Sequence, residues 1–294
     1  MPLRVSAISF LNPAPLLYDF EHEPRASELA REFERHYTTP AECARELEEG
    51  TADLGLIPVA SLTDAMRIVP GCTIASLGEV RSILLLVKKA RGREGESVLE
   101  GSLQHVRVIA SDAASRSSQT YLRILFEHFH GVKARFVEMD ADAPQSVEWM
   151  LAEGDAALLI GDPALLARER RGEIDPNDEL LWLDVAAMWQ ERTSLPWVAA
   201  VWAVRPEALG GENVSAERLT EVLIASRDAG LAHVAQIVQE WTPRLAVPAA
   251  TIDEYLRTNI HYVLDEECVR AIEVFRELAA DVGALEPMRR LRFL

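Results

Sequence analysis

The sequence predicts an α/β protein of two lobes with a ligand cleft between them. Strand and helix patterns alternate in two separate stretches, each in the way that builds a parallel sheet. Two continuous apolar strands, "RSILLLVKK" (81–89) and "LPWVAAVWAVR" (195–205), bracket the second stretch. The 294 residues, 49% of them apolar, exceed one ordinary core and suggest about two domains. The chain is therefore expected to leave a first lobe, 1–85 with 200–294, along one apolar strand. It returns along the other, so that 90–195 is an inserted second lobe.

The elements follow in order. "LRVSAISFL" (3–11) reads as a strand, stopped by "NPAP". Residues 26–37 carry apolar positions at helical spacing and read as a charged helix. In "TTPAECARELEEG", Thr39 is an N-cap, Pro40 takes the first helical position and Glu42 the third, a capping box closed by Gly50. "ADLGLIPVASL" is a buried strand running into a loop. After the strand at 81–89, "ARGREGESVLEGSLQ" is polar and glycine-bearing, a linker or an exposed edge. "VRVIAS" restarts the alternation. The helix after it places Leu122, Leu125, Phe126 and Phe129 at i, i+3, i+4 and i+7, and Gly131 ends it. "ARFVEM" is a strand, "PQSVEWMLAEG" a helix, "DAALLIG" a strand, and "DPALLARER" and "LDVAAMWQERT" are helices. Beyond 205, helical patterns cover about 215–241, 251–264 and 266–283.

A formal net charge of −17 argues against a general nucleic-acid binder, which needs basic surface to displace counterions. It argues against binding anionic membranes too, and no apolar run approaches the roughly 20 residues of a membrane span. Cys43, Cys72 and Cys268 lie far apart without metal spacing, so a reducing compartment is expected. "MPLRVSAISFL" goes straight into a strand with no apolar leader, which gives a cytoplasmic expectation. No nucleophile elbow, H-E-x-x-H or P-loop is present, so neither a metal nor a cofactor is expected.

Ligands in open α/β sheets sit beyond the carboxyl ends of strands. Three polar strand ends would face such a cleft: residues 9–12 with Ser9 and Asn12, residues 115–118, and Gly161 with Asp162. Asn12 precedes Pro13; it is either a turn residue or an amide offering a donor and an acceptor to the cleft. Ser115, Arg116, Ser117 and Ser118 stand at a helix mouth. Ser117 or Ser118 can cap that helix, and an anion can dock on its free N–H groups beside the Arg116 fork. Asp162, before Pro163, reads as a helix cap, and Trp197 either belongs to the core or lines the cleft.

These stretches together resemble one family. "ISFLNPAPLLYDF", "PAECARELEEGTADLGLIPVASL", "SRSSQTYLRIL", "ALLIGDPAL" and "MWQERTSLPWVAAVWAVR" are similar, in the same order, to the segments of chorismate dehydratase of the futalosine route to menaquinone. The pattern departs at Ser117, Ser194, Trp197 and Ala199. The resemblance implies a periplasmic-binding-protein-like (type II) fold. It implies a carbon–oxygen hydro-lyase, with chorismate as its small-molecule partner, that eliminates water to give 3-[(1-carboxyvinyl)oxy]benzoate. Asn12 would be the catalytic residue, with Ser9, Asn12, Ser82, Ser115, Arg116, Ser117, Ser118, Gly161, Asp162 and Trp197 around the substrate. The base would be the substrate's own side-chain carboxylate or a protein group. Two alternatives stand beside it: the related lyase acting on cyclic dehypoxanthine futalosine, and a non-catalytic binding protein for a small carboxylate.

Overall fold

The first apolar run forms β1 (Leu3–Ile8), almost wholly buried, with a parallel neighbour on each side. The computed structural model describes residues 2–90, 95, 97–141, 145–210 and 214–294. After β1 a single 3-10 turn leads into the short helices α1 (Tyr18–Glu21) and α2 (Arg25–Leu29). β2 (Phe33–Thr38) then pairs with β1 from Leu3↔Phe33 to Ile8↔Thr38. The helix expected over 26–37 is thus a short helix followed by an edge strand. The charges of "FERHYT" suit an edge, which must face water and discourage further pairing. α3 (Pro40–Glu49) starts as expected, with Thr39 Oγ1 accepting from Glu42 N at 3.3 Å, and ends at Gly50 with φ +75°. Half the capping box is missing, because the Glu42 carboxylate pairs with Arg45.

β3 (Leu54–Pro58) and β4 (Arg67–Ser76) follow. The chain then passes to a second sheet with β5 (Ile83–Lys88). α4 (Val98–His105), capped by Ser97, occupies much of the segment expected to be a linker, whose residues 91–94 and 96 lie outside those described. Next come β6 (Val108–Asp112), α5 (Arg116–Ile124) with a π-turn at 125–129, β7 (Arg135–Met139), α6 (Ser146–Glu153) and β8 (Ala156–Ile160). α7 (Gly161–Glu169) and α8 (Arg171–Ile174) precede β9 (Leu180–Asp184), which sequence reading missed. α9 (Val185–Thr193), capped by Asp184, leads into β10 (Trp197–Val204). The helix expected over 215–241 breaks at His233 into α10 (Ala216–Ala232) and α11 (Val234–Leu245). α12 (Ala249–Glu254) and α13 (Glu266–Asp281) close the order.

The two five-stranded sheets share one plan. Their orders are β2-β1-β3-β10-β4 and β7-β6-β8-β5-β9. In each, three parallel strands meet a fourth that runs antiparallel to both its neighbours, β10 in one and β5 in the other. The boundaries read from sequence, 85 and 200, fall inside β5 and β10; the chain changes sheets at 77–82 and 194–196. Asp184 fixes the first crossing, accepting from Val80 N at 3.2 Å and Arg81 N at 2.7 Å while Arg168 pairs with it at 3.0 Å. At the second, Ser194 takes φ +58° and Trp189 Nε1 donates to Pro196 O at 3.0 Å. An aromatic cluster fills the space between α5, α9, β10 and α13. Tyr121 stacks on Trp197 with ring centres 3.7 Å apart and meets Trp189 edge-on and Phe275 at 4.1 Å.

Candidate active site

The strand ends of both sheets converge on a cavity of about 50 Å³. β1 contributes Ile8 and, just beyond it, Phe10 and Asn12; β3 ends there at Pro58. Ala199 and Ala200 of β10 form one wall, and their small side chains leave the space open. From the second sheet come Ala114, Ser115, Arg116, Ser117 and Ser118 at the start of α5, and Ile160 with Gly161 at the end of β8. Asn12, Ser115, Arg116, Ser117, Ser118 and Gly161 are therefore neighbours around one space, although they come from three distant parts of the sequence.

The Asn12 loop is held from several directions. Pro13 and Pro15 restrict its backbone. A side chain on Gly230 of α10 would put Cβ 2.2 Å from the Pro15 carbonyl oxygen, so glycine is what lets α10 lie directly against the loop. Asp19 N donates to the buried Ser226 Oγ of the same helix at 3.0 Å. From across the cleft, Asp162 Oδ1 accepts from Leu11 N at 3.0 Å. The Asp162 carboxylate therefore tethers the neighbouring loop, where a cap of its own helix was expected; that helix has no side-chain cap. Gly161 beside it has φ +61°, and a Cβ there would fall 2.6 Å from the Phe10 ring. Within this frame Asn12 Oδ1 is buried and has no hydrogen-bond partner.

The opposite wall is the start of α5. Arg116 is its first residue, one or two positions earlier than the serines suggested. The first intrahelical bond here runs from Gln119 N to Ser115 O at 3.3 Å, so the N–H groups of Arg116, Ser117 and Ser118 have no acceptor within the helix. Ser115 occupies the cap position but its side chain does not cap; its Oγ is buried without a partner. Ser117 does different work. Its Oγ donates to Ala199 O at 3.1 Å and accepts from Ala60 N at 3.3 Å, joining α5 to the first sheet. Arg116 is exposed, borders the cavity and makes no ion pair among the described residues.

Four expected site residues do not border the cavity. Ser9 is exposed and donates to Thr38 O at 3.3 Å. Asp162 faces the Leu11 N–H as above. Trp197 is fully buried in the aromatic cluster, because β10 turns its ring onto Tyr121 and presents alanines to the cleft. Ser82 sits one step behind: its Oγ accepts from Tyr255 Oη at 2.8 Å. Tyr255 carried no signal in the sequence, lying in an ordinary helical pattern far from the motifs. Burial pushes its phenol well above the usual value, and the Ser82 and Asn12 side chains oppose that shift. Tyr255 thus stays protonated beside Asn12 and donates its hydrogen bond to Ser82.

The cavity lining, among the described residues, includes no aspartate, glutamate or histidine. Among the described residues the one grouping of metal-type side chains is His261, Asp265 and Cys268, with ligand atoms within 4.8 Å of one another. Its members are engaged in the start of α13: Asp265 accepts from Cys268 N at 2.8 Å and pairs with His261 at 2.8 Å. The Cys268 thiol is pushed up to about 12 by burial.

Known proteins resemble this chain in sequence and in fold. A chorismate dehydratase of Thermus thermophilus is 27% identical over 259 residues, covering 82% of this chain and 84% of its own. A protein of Archaeoglobus fulgidus superposes with a TM-score of 0.66 at 18% identity, over 97% of this chain and 98% of its own. A Candida albicans protein described as having the generic periplasmic binding protein fold superposes at 0.61 with 12% identity, over 98% and 92%. The architecture is accordingly periplasmic-binding-protein-like. Residues 3–281 match the menaquinone biosynthesis family as a whole, and the chain belongs to that family.

Proposed function

We propose that the protein is a chorismate dehydratase, eliminating water from chorismate to give 3-[(1-carboxyvinyl)oxy]benzoate. The observation that carries the reading is the convergence of Asn12, with its spare buried amide oxygen, and the open N-terminus of α5 on one cavity. Chorismate is a dianion. A helix start with N–H groups free of intrahelical acceptors, hydroxyls and an arginine with no ion pair among the described residues suits a carboxylate.

The reaction removes the C3 proton and expels the C4 hydroxyl, leaving an aromatic ring. Negative charge developing in the deprotonation spreads through the ring to the ring carboxylate, where donors at the α5 start stabilise it. Among the described residues the lining offers no carboxylate or imidazole to take the proton. In this reading the substrate's side-chain carboxylate takes it, and the protein holds the conformation that brings the two together. Asn12, beside Tyr255, binds the departing hydroxyl.

The two sheets are then the cores of two lobes that part to admit substrate. A cavity of about 50 Å³ lies far below the roughly 300–1,000 Å³ of ordinary small-molecule sites. In this reading the protein acts in the cytoplasm, where its three free, buried cysteines stay reduced.

Incubation with chorismate tests the reading. The expected result is an aromatic product, followed by ultraviolet absorbance and lighter than chorismate by one water. Chorismate bound but recovered unchanged would overturn it in favour of a carboxylate-binding protein.

A further inference from the structure

A second cavity lies on the other side of Arg116. It measures about 390 Å³, within the range of small-molecule sites. Residues 60–63, Arg276 of α13 and residues 284–286 form one side; Arg116, Gln119, Thr120 and Arg123 of α5, with Phe136 of β7, form the other. In a chain of net charge −17, three arginines border this one space.

Two of them are only partly satisfied. Arg276 is half-buried; its Nη1 donates to Val59 O at 3.1 Å, but its Nε is buried without a partner, and it makes no ion pair among the described residues. Burial pushes the Arg276 guanidinium below its usual value, with Asp64 opposing. Arg123 lies over the Phe136 ring at 5.8 Å and reaches Glu127 only at 3.9 Å. Ser61, on the same wall and 6% exposed, has a buried hydroxyl without a partner. Glu48 and Glu286 also border the cavity, but both are exposed, where water screens them. A partly buried cation without a counter-charge is costly, and an anion bound beside it offsets that cost. Planar guanidinium forks match the oxygens of carboxylates and phosphates.

We propose that this cavity is a second oxyanion site, separate from the cleft, that takes a small carboxylate- or phosphate-bearing molecule between Arg123 and Arg276. Because its walls come from both sheets, an occupant ties the two halves of the molecule together. The proposal does not depend on the dehydration reading, and its test uses no chorismate.

The full chain is titrated with inorganic phosphate in one arm and succinate in the other, at low ionic strength. Calorimetry and the arginine Nε–H resonances are followed. Saturable binding in either arm that moves the Arg276 resonance is expected, and the arm that saturates identifies the anion. Arg276→Gln should weaken it roughly ten- to a hundredfold, Arg276→Lys less, and Arg123→Gln should weaken it as well. Asn12→Asp should leave it in place. Should Arg276→Gln fail to fold, Arg123→Gln, altered on an accessible helix face, decides alone. The proposal is overturned by no saturation in either arm below about 10 mM, by binding that the arginine substitutions leave unchanged, or by equal weakening in Asn12→Asp.

Discussion

On the first-sheet wall of the cleft the polar chemistry is a single amide, Asn12. On the second-sheet wall it is a run of four residues, 115–118, at a helix start. The helix start costs little to make, since every helix exposes N–H groups there. The loop that carries the amide needs two prolines, a glycine on a neighbouring helix and a carboxylate from the other sheet to hold it, with a buried tyrosine beside the amide. In the proposed reaction the difference is a division of labour: the helix mouth supplies attraction for an anion, and the Asn12 loop supplies a fixed direction.

The sharpest way to break that comparison is Asn12→Asp. It keeps the volume but replaces a donor with a charge that repels a dianion. Turnover of chorismate should fall roughly ten- to a thousandfold with the melting curve unchanged. Near-normal turnover would reduce Asn12 to a turn residue. Arg116→Ala tests the other wall. The side chain is exposed and unpaired among the described residues, so stability should hold while KM rises about ten- to a hundredfold. A fall in kcat with constant KM would mean that the helix mouth also directs the chemistry.

Asp162→Asn probes the tether between the walls. A neutral acceptor holds Leu11 N less tightly than a carboxylate. The loop should loosen and kcat fall about fivefold, since the difference between the two bonds is on the order of 1 kcal/mol. An unchanged kcat would show that the prolines and α10 suffice. The smallest effect belongs to Ser117→Ala, which removes a bridge between α5 and the first sheet. A loss of about 1 kcal/mol should lower the melting midpoint by roughly 2–4 °C, with KM nearly constant. A KM as high as that of the Arg116 variant would make Ser117 a substrate contact.

The comparison also explains what the sequence could reveal. Strands buried on both faces, such as Ile83–Lys88 and Ala156–Ile160, are continuous apolar runs and legible at sight. Phe33–Thr38 was not, because its charges resemble a solvated helix face. Arg67–Ser76 carries Pro70 and Gly71, with φ +92° at the glycine, and its pairing with β10 shifts register. The cavity lining was legible where strand ends carry hydroxyls, glycine or asparagine. It was illegible where a residue's role depends on a distant partner. Nothing local says that Ser117 bridges and Ser115 does not, that Trp197 turns inward, or that Tyr255 reaches Ser82 across 173 positions.

In the proposed two-lobe reading, the aromatic cluster around Tyr121 sets how the lobes can part. Tyr121 Oη donates to Val198 O at 3.0 Å and accepts from Val198 N at 3.3 Å, and its ring is fully buried between Trp197, Trp189 and Phe275. Pulling α5 straight off β10 would wet these rings. At about 25 cal/mol per Å² and roughly 150–250 Å² per ring, that costs about 4–6 kcal/mol for each ring exposed. Rotation about the cluster costs far less, for it leaves the rings in contact. Tyr121 is then a pivot. The bond from Leu11 to Asp162, which joins the two walls, is the catch that this proposed opening must release.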